Sequence, residues 1–149
     1  MAQQHIRQEN LGVLAYLGRG LQPAAVRCEP PGPDVDTWRL GAHPDVVRRL
    51  WEQLNAALDG DGRVLVADTA ALLDPGSGVI VAVALGTQYA LRLSGEPLRA
   101  ALDAGHETVH EFRTVGRTLD LAATFGPGWI FGRSDERELD WLRQSTMDR

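Results

Sequence analysis

Apolar residues recur at helical spacing in several stretches of the chain. The clearest runs from Pro44 to Leu58, where proline suits the first turn, Asp45 complements the helix dipole and Gly60 follows the last turn. The same spacing predicts an N-terminal amphipathic helix over residues 5–18 and a short helix over residues 97–104. Asp135 and Glu138 have the spacing of a capping box, which predicts a C-terminal helix that begins there.

Between these helices the apolar residues form short, β-rich runs. The runs 63–67, 79–85 and 89–93 are separated by turn-forming residues, and Gly86 marks a tight hairpin. The run 79–85 lacks alternation, which predicts a central strand covered on both faces. Residues 125–132 predict a turn that leads into another short strand.

These elements predict one α+β domain over residues 1–149. An antiparallel β-meander packs against amphipathic helices, with helices at the N- and C-termini and the helices on one side of the sheet. Residues 23–34 are rich in proline and glycine and cannot sustain a helix. They form either a rigid surface loop, which we favour, or a linker that sets off the helix at residues 5–18.

Composition narrows the classes of partner and the location. The net charge is −5, and the chain contains arginine but no lysine and no arginine cluster, which argues against nucleic acid as a partner. Cys28 stands alone, so neither an internal disulfide nor a cysteine-based zinc site is expected. The N-terminus lacks a signal-peptide pattern, and no apolar run approaches the roughly 18 residues that cross a membrane. We expect a soluble cytoplasmic protein without a membrane partner.

One string has the spacing of a catalytic motif. His106, Glu107 and His110 form H-E-x-x-H, the pattern in which a helix presents two imidazoles to zinc and a carboxylate to the zinc-bound water. The motif requires a helix, whereas Gly105 is a typical helix end and the residues after it favour a strand. A third ligand is also uncertain, since Asp120 and Glu136 are candidates by position only. A zinc-dependent hydrolase is therefore the alternative hypothesis.

Aromatic and arginine residues suggest a contact face. Trp38 and Trp129 are flanked by polar or glycine residues, and aromatic side chains near arginine are common at protein interfaces. We therefore name Trp38, Tyr89, Arg92 and Trp129 as candidate binding residues, against the simpler interpretation that the aromatic rings close the edge of the core.

Three segments carry a resemblance to known sequences. Residues 37–40, the stretch from Gly78 through Gly86 to Leu93, and the Gly126–Gly132 segment resemble a set of small uncharacterised bacterial α+β proteins over about residues 37–143. The resemblance implies a fold and no activity. The sequence shows no complete catalytic constellation, no nucleotide-binding loop and no basic patch. We therefore expect a non-catalytic cytoplasmic binding protein, by analogy of accessory or immunity type, which binds a protein or small-molecule ligand and needs no cofactor.

Overall fold

The computed structural model describes residues 7–19, 21–32, 42–109, 112–114, 117–119 and 125–147. Within them, six strands form one antiparallel sheet in the order β1-β2-β3-β4-β5-β8. These strands are β1 Cys28–Glu29, β2 Arg63–Val66, β3 Thr69–Leu73, β4 Ile80–Leu85, β5 Gln88–Arg92 and β8 Trp129–Phe131. A separate two-stranded antiparallel sheet pairs β6 Phe112–Thr114 with β7 Arg117–Leu119.

The α-helices are α1 Leu11–Leu17, α2 Pro44–Arg48, α3 Gly95–Asp103 and α4 Glu138–Met147. Helix α2 continues without a break as a π-helical turn, Arg49–Gln53, and a 3₁₀ turn, Leu54–Ala57; residues 44–57 are called the α2 run below. Shorter 3₁₀ turns lie at Gln8–Asn10 and Pro23–Ala25. This arrangement confirms the predicted α+β fold with its antiparallel meander.

The hairpin predicted at Gly86 is confirmed. Leu85 pairs with Gln88, so only Gly86 and Thr87 lie between β4 and β5. Gly86 has φ +70° while Thr87 has an ordinary negative φ, the combination of a type II′ turn. Glycine at the first central position allows this turn, whose twist matches that of the two strands.

Strand β4 is buried along its whole length, as its unbroken apolar run predicts. The register with β3 shifts by one residue, which leaves Val81 without a counterpart between the pairs formed by Ile80 and Ala82. This bulge turns Val81 and Ala82 toward the same apolar cluster, whereas Ile80 and Val83 pack on the other face. The two faces of β4 thus belong to two separate hydrophobic layers.

The expectation that the helices lie on one side of the sheet is wrong. The α2 run, α3 and α4 cover one face, while Val13 and Leu14 of α1 are fully buried in the cluster on the other face. Asn10 fixes this placement, because its side-chain amide donates to the carbonyl of Gly78 and accepts from the N–H of Ile80. Within residues 23–32, the described part of the proline- and glycine-rich segment, β1 pairs with β2.

The turn between β2 and β3 offers a test of backbone strain. Ala67 and Asp68 both have positive φ, +49° and +66°, which is the type I′ geometry that favours asparagine and glycine. Asp68 is exposed. We expect Asp68→Gly to raise the free energy of unfolding by about 0.5 kcal/mol and Asp68→Val to lower it by about 1–2 kcal/mol. Urea unfolding of both variants measures the two opposite shifts, and equal shifts of one sign would contradict this interpretation.

Candidate functional site

The segment after α3 is extended. Gly105 follows the helix with φ +96°. The N–H of Val109 then donates to the carbonyl of Trp129 (3.0 Å), and the N–H of Phe131 donates to the carbonyl of Glu107 (2.9 Å). Thr108 forms an antiparallel bridge with Ile130. Residues 107–109 therefore pair with β8, and the helix that the H-E-x-x-H motif requires is absent across residues 106–109.

The zinc-binding interpretation of this string does not agree with the geometry. His106 points into the protein, where its Nε2 lies 2.9 Å from Oε2 of Glu138, whereas Glu107 is exposed. His110 lies outside the described residues. Among the residues that the structure describes, no three His, Cys, Asp or Glu side chains form a group that could hold a metal ion.

Two of the candidate binding residues lie in the interior of the structure. Tyr89 is only 4% exposed and Trp129 only 2%. Trp129 packs edge-on against Phe125 in the core. Arg92 is partly exposed and donates to the carbonyl of Glu9, which ties the N-terminal turn to β5. Trp38 lies outside the described residues.

The buried carboxylate of Glu138 is the centre of a hydrogen-bond network. Its Oε1 accepts from the hydroxyl of Tyr89 (2.5 Å) and from Nη2 of Arg49 (3.0 Å). Its Oε2 lies against Nε2 of His106 and accepts from the backbone N–H of Arg133 (2.8 Å). We call Arg49, Tyr89, His106 and Glu138 the Glu138 cluster.

Each member of the cluster comes from a different part of the fold. Arg49 opens the π-helical turn, Tyr89 lies on β5, His106 follows α3 and Glu138 is the first residue of α4. The helix N-terminus is a favourable place for a carboxylate because the dipole is positive there. The cluster therefore joins the α2 run, the sheet and α4 at a single point.

The loop between β8 and α4 is fastened to the same cluster. Ser134 has φ +55°, and its N–H donates to the hydroxyl of Tyr89 (2.8 Å). Arg49 also reaches the loop, where its Nη2 donates to the carbonyl of Asp135 (2.8 Å). Together with the bond from the N–H of Arg133, these contacts hold residues 132–137, which we call the cluster loop.

Electrostatics in the cluster favour a neutral phenol beside charged neighbours. Burial, reinforced by the adjacent carboxylate of Glu138, raises the pKa of Tyr89 above its ordinary value. Burial opposes the charge of Arg49, but hydrogen bonds to Tyr89 and Glu138 outweigh that effect and raise the pKa of the guanidinium. The site is thus a matched arginine–carboxylate pair bridged by a protonated tyrosine.

The raised pKa of Tyr89 predicts a specific loss of stability in alkali. A free phenol titrates near pH 10, so above that pH the unfolded chain releases a proton that the folded chain retains. We expect the free energy of unfolding to fall more steeply in the wild type than in Tyr89→Phe, by up to about 1.4 kcal/mol per pH unit, until the pH passes the pKa of folded Tyr89. Urea titrations between pH 8 and 11.5 measure both slopes.

The chain is well suited to this measurement because it has no lysine to titrate in the same range. Tyr16, whose pKa is raised by burial, and Cys28, whose pKa burial and Glu29 raise to about 11, are present in both proteins and cancel in the comparison. Parallel slopes for the two proteins would contradict the assignment to Tyr89.

Sequence reasoning missed Arg49 and misassigned Glu138. The capping box predicted from Asp135 and Glu138 does not form, because the Glu138 carboxylate binds the cluster rather than the N–H of Asp135. A signal was nevertheless present: Glu138 belongs to a stripe at helical spacing with Trp141, Leu142 and Ser145, all of which are buried. A carboxylate at a core position of a helix indicates a buried partner.

A groove lies apart from the cluster. It is open, has a volume of about 790 Å³, and is formed by the turns at residues 56–59 and 74–77 together with the last turn of α4. Arg7, Asp59 and Arg143 supply exposed charges of both signs, and Met147, which is 77% exposed, also lines the groove. Such a surface offers charged and apolar contacts.

Comparison with models of known families, with curated proteins and with solved structures finds no match to this chain. Among the described residues, no helix combines the length and apolar character needed to cross a bilayer.

Proposed function

We propose that this chain is a non-catalytic cytoplasmic binding protein whose protein partner docks in the groove beside the end of α4. The observation that carries this proposal is that the four side chains of the Glu138 cluster are bonded to one another inside the protein. Side-chain exposure is 0% for Glu138, 1% for His106 and 15% for Arg49, and Tyr89 is likewise buried. A general acid or base must reach a substrate proton, which these buried groups cannot do.

The groove supports binding through its composition and its shape. One charged side chain there is already oriented, because Arg143 donates to the carbonyl of Ala56. An oriented charge beside an exposed methionine provides a polar contact next to an apolar one. Sites for small molecules usually enclose most of the ligand, so an open groove favours a protein segment.

A site-specific crosslinker tests this proposal. A photoreactive amino acid replaces Met147 in the groove or Leu102, which is 41% exposed on α3, and each protein is irradiated in cells that produce it naturally. We expect a discrete crosslinked protein from position 147, none from position 102, and loss of the first product when Arg143→Glu is added. The same product from both positions, or none from either, would overturn docking in the groove.

Metal analysis tests the non-catalytic part of the proposal against the zinc hydrolase. Because Nε2 of His106 lies against Glu138 and residues 107–109 are extended, we expect protein purified without a histidine tag to hold far less than one zinc per chain after incubation with zinc and dialysis. Stoichiometric zinc that disappears in His110→Ala would overturn this expectation and restore Glu107 as a candidate base.

A further inference from the structure

One buried nitrogen in the Glu138 cluster has no hydrogen-bond partner among the residues that the structure describes. The carboxylate of Glu138 already accepts from Arg49, Tyr89 and the N–H of Arg133, so we assign the ring hydrogen of His106 to Nε2, which faces that carboxylate. The other ring nitrogen, Nδ1, then carries a bare lone pair. It is buried, and no described residue forms a hydrogen bond with it. A proton added to Nδ1 would find no acceptor.

The charges around His106 balance one another when its own ring is neutral. Glu138 faces it from α4 and is matched by Arg49 from the α2 run, while Tyr89 faces it from β5 as a neutral phenol. In the cluster loop, Asp135 pairs with Arg137 (2.6 Å), and Arg133 reaches toward the carbonyl of Ala104. A proton on His106 would therefore add an uncompensated charge and an unsatisfied donor to a closed site.

Opening the cluster loop would let water solvate the protonated ring of His106. The added charge would then be hydrated, and the N–H at Nδ1 would have an acceptor. We propose that the Glu138 cluster is a proton-operated latch, in which neutral His106 keeps the cluster loop closed and one proton taken up at Nδ1 releases it. The latch holds the backbone through two amides, since the N–H groups of Arg133 and Ser134 donate to Glu138 and Tyr89. Exchange of these two amide hydrogens reports directly on its opening.

The size of the effect follows from proton linkage. A solvated imidazole titrates near pH 6.5, so if only the open form takes up the proton, the opening equilibrium rises about tenfold between pH 7.5 and pH 5.5. We expect protection of the Arg133 and Ser134 amides against hydrogen exchange, corrected for the chemical exchange rate, to fall about tenfold over that range.

Two controls separate the latch from other effects of acid. The amide of Ile80 donates to the Asn10 side chain on the opposite face of the sheet and should keep its protection. His106→Gln retains an N–H donor for Glu138 but cannot take up a proton, so the tenfold fall should disappear. Equal loss at Ile80, an unchanged wild type, or a fall that persists in His106→Gln would each overturn the latch. If His106→Gln does not fold, the wild-type comparison of Arg133 with Ile80 still decides whether acid opens the loop locally.

Discussion

Replacement of Glu138 by alanine is expected to lower the free energy of unfolding by about 3–5 kcal/mol, the range found when one partner of a buried ion pair is removed. The carboxylate accepts hydrogen bonds from Arg49, Tyr89 and the backbone of Arg133, and its Oε2 lies 2.9 Å from Nε2 of His106. Without it, the guanidinium of Arg49 is left in a site where its side chain is only 15% exposed. Its remaining acceptors, the hydroxyl of Tyr89, the side chain of Gln53 and the carbonyl of Asp135, are uncharged, so the desolvation of that charge is no longer offset by an opposite charge.

Urea unfolding at pH 7 measures this loss, and Glu136→Ala is the matched control. Glu136 lies two residues earlier, is exposed, and carries the same charge, so its replacement should change stability by no more than about 0.5 kcal/mol. If the cost of Glu138→Ala arises from a stranded charge, adding Arg49→Met should recover part of the stability. A loss below about 1 kcal/mol in Glu138→Ala would contradict the central role of this carboxylate.

Much of the fold could be predicted because its signals are local. The stripe over the α2 run and the unbroken apolar run of β4 identify a helix and a central strand from a few residues each. The face on which a helix packs is not local. The stripe of α1 indicates burial, but the side of the sheet depends on Asn10, whose partners Gly78 and Ile80 lie about seventy residues away.

The site was predicted poorly for the same reason. The sequence H-E-x-x-H is compatible with a helix and with a strand. The pairing of residues 107–109 with β8 decides between the two. Glu138 finds its partners 32, 49 and 89 residues away, at His106, Tyr89 and Arg49. No short window contains that combination, so the carboxylate was interpreted as part of a local helix cap.

Gly132→Ala is expected to destabilise the protein by about 3 kcal/mol or more, although it adds a single methyl group. A Cβ atom at this position would overlap three ring carbons of Tyr89, namely Cδ2, Cε2 and Cζ. The backbone cannot easily move away, because the N–H of Gly132 donates to the carbonyl of Tyr89 (2.7 Å). The ring must therefore leave its position and withdraw its hydroxyl from Glu138.

This mechanism makes the expected loss depend on the tyrosine ring. Gly76→Ala is the matched control: a Cβ there would lie 3.7 Å from Asp74, an ordinary contact, so stability should hardly change. In a Tyr89→Ala background the overlapping ring is absent, and Gly132→Ala should then cost less than about 1 kcal/mol. An equal loss with and without the ring, measured by urea unfolding of all four chains, would show that strain elsewhere in the backbone, and not the approach of Tyr89, requires glycine at this position.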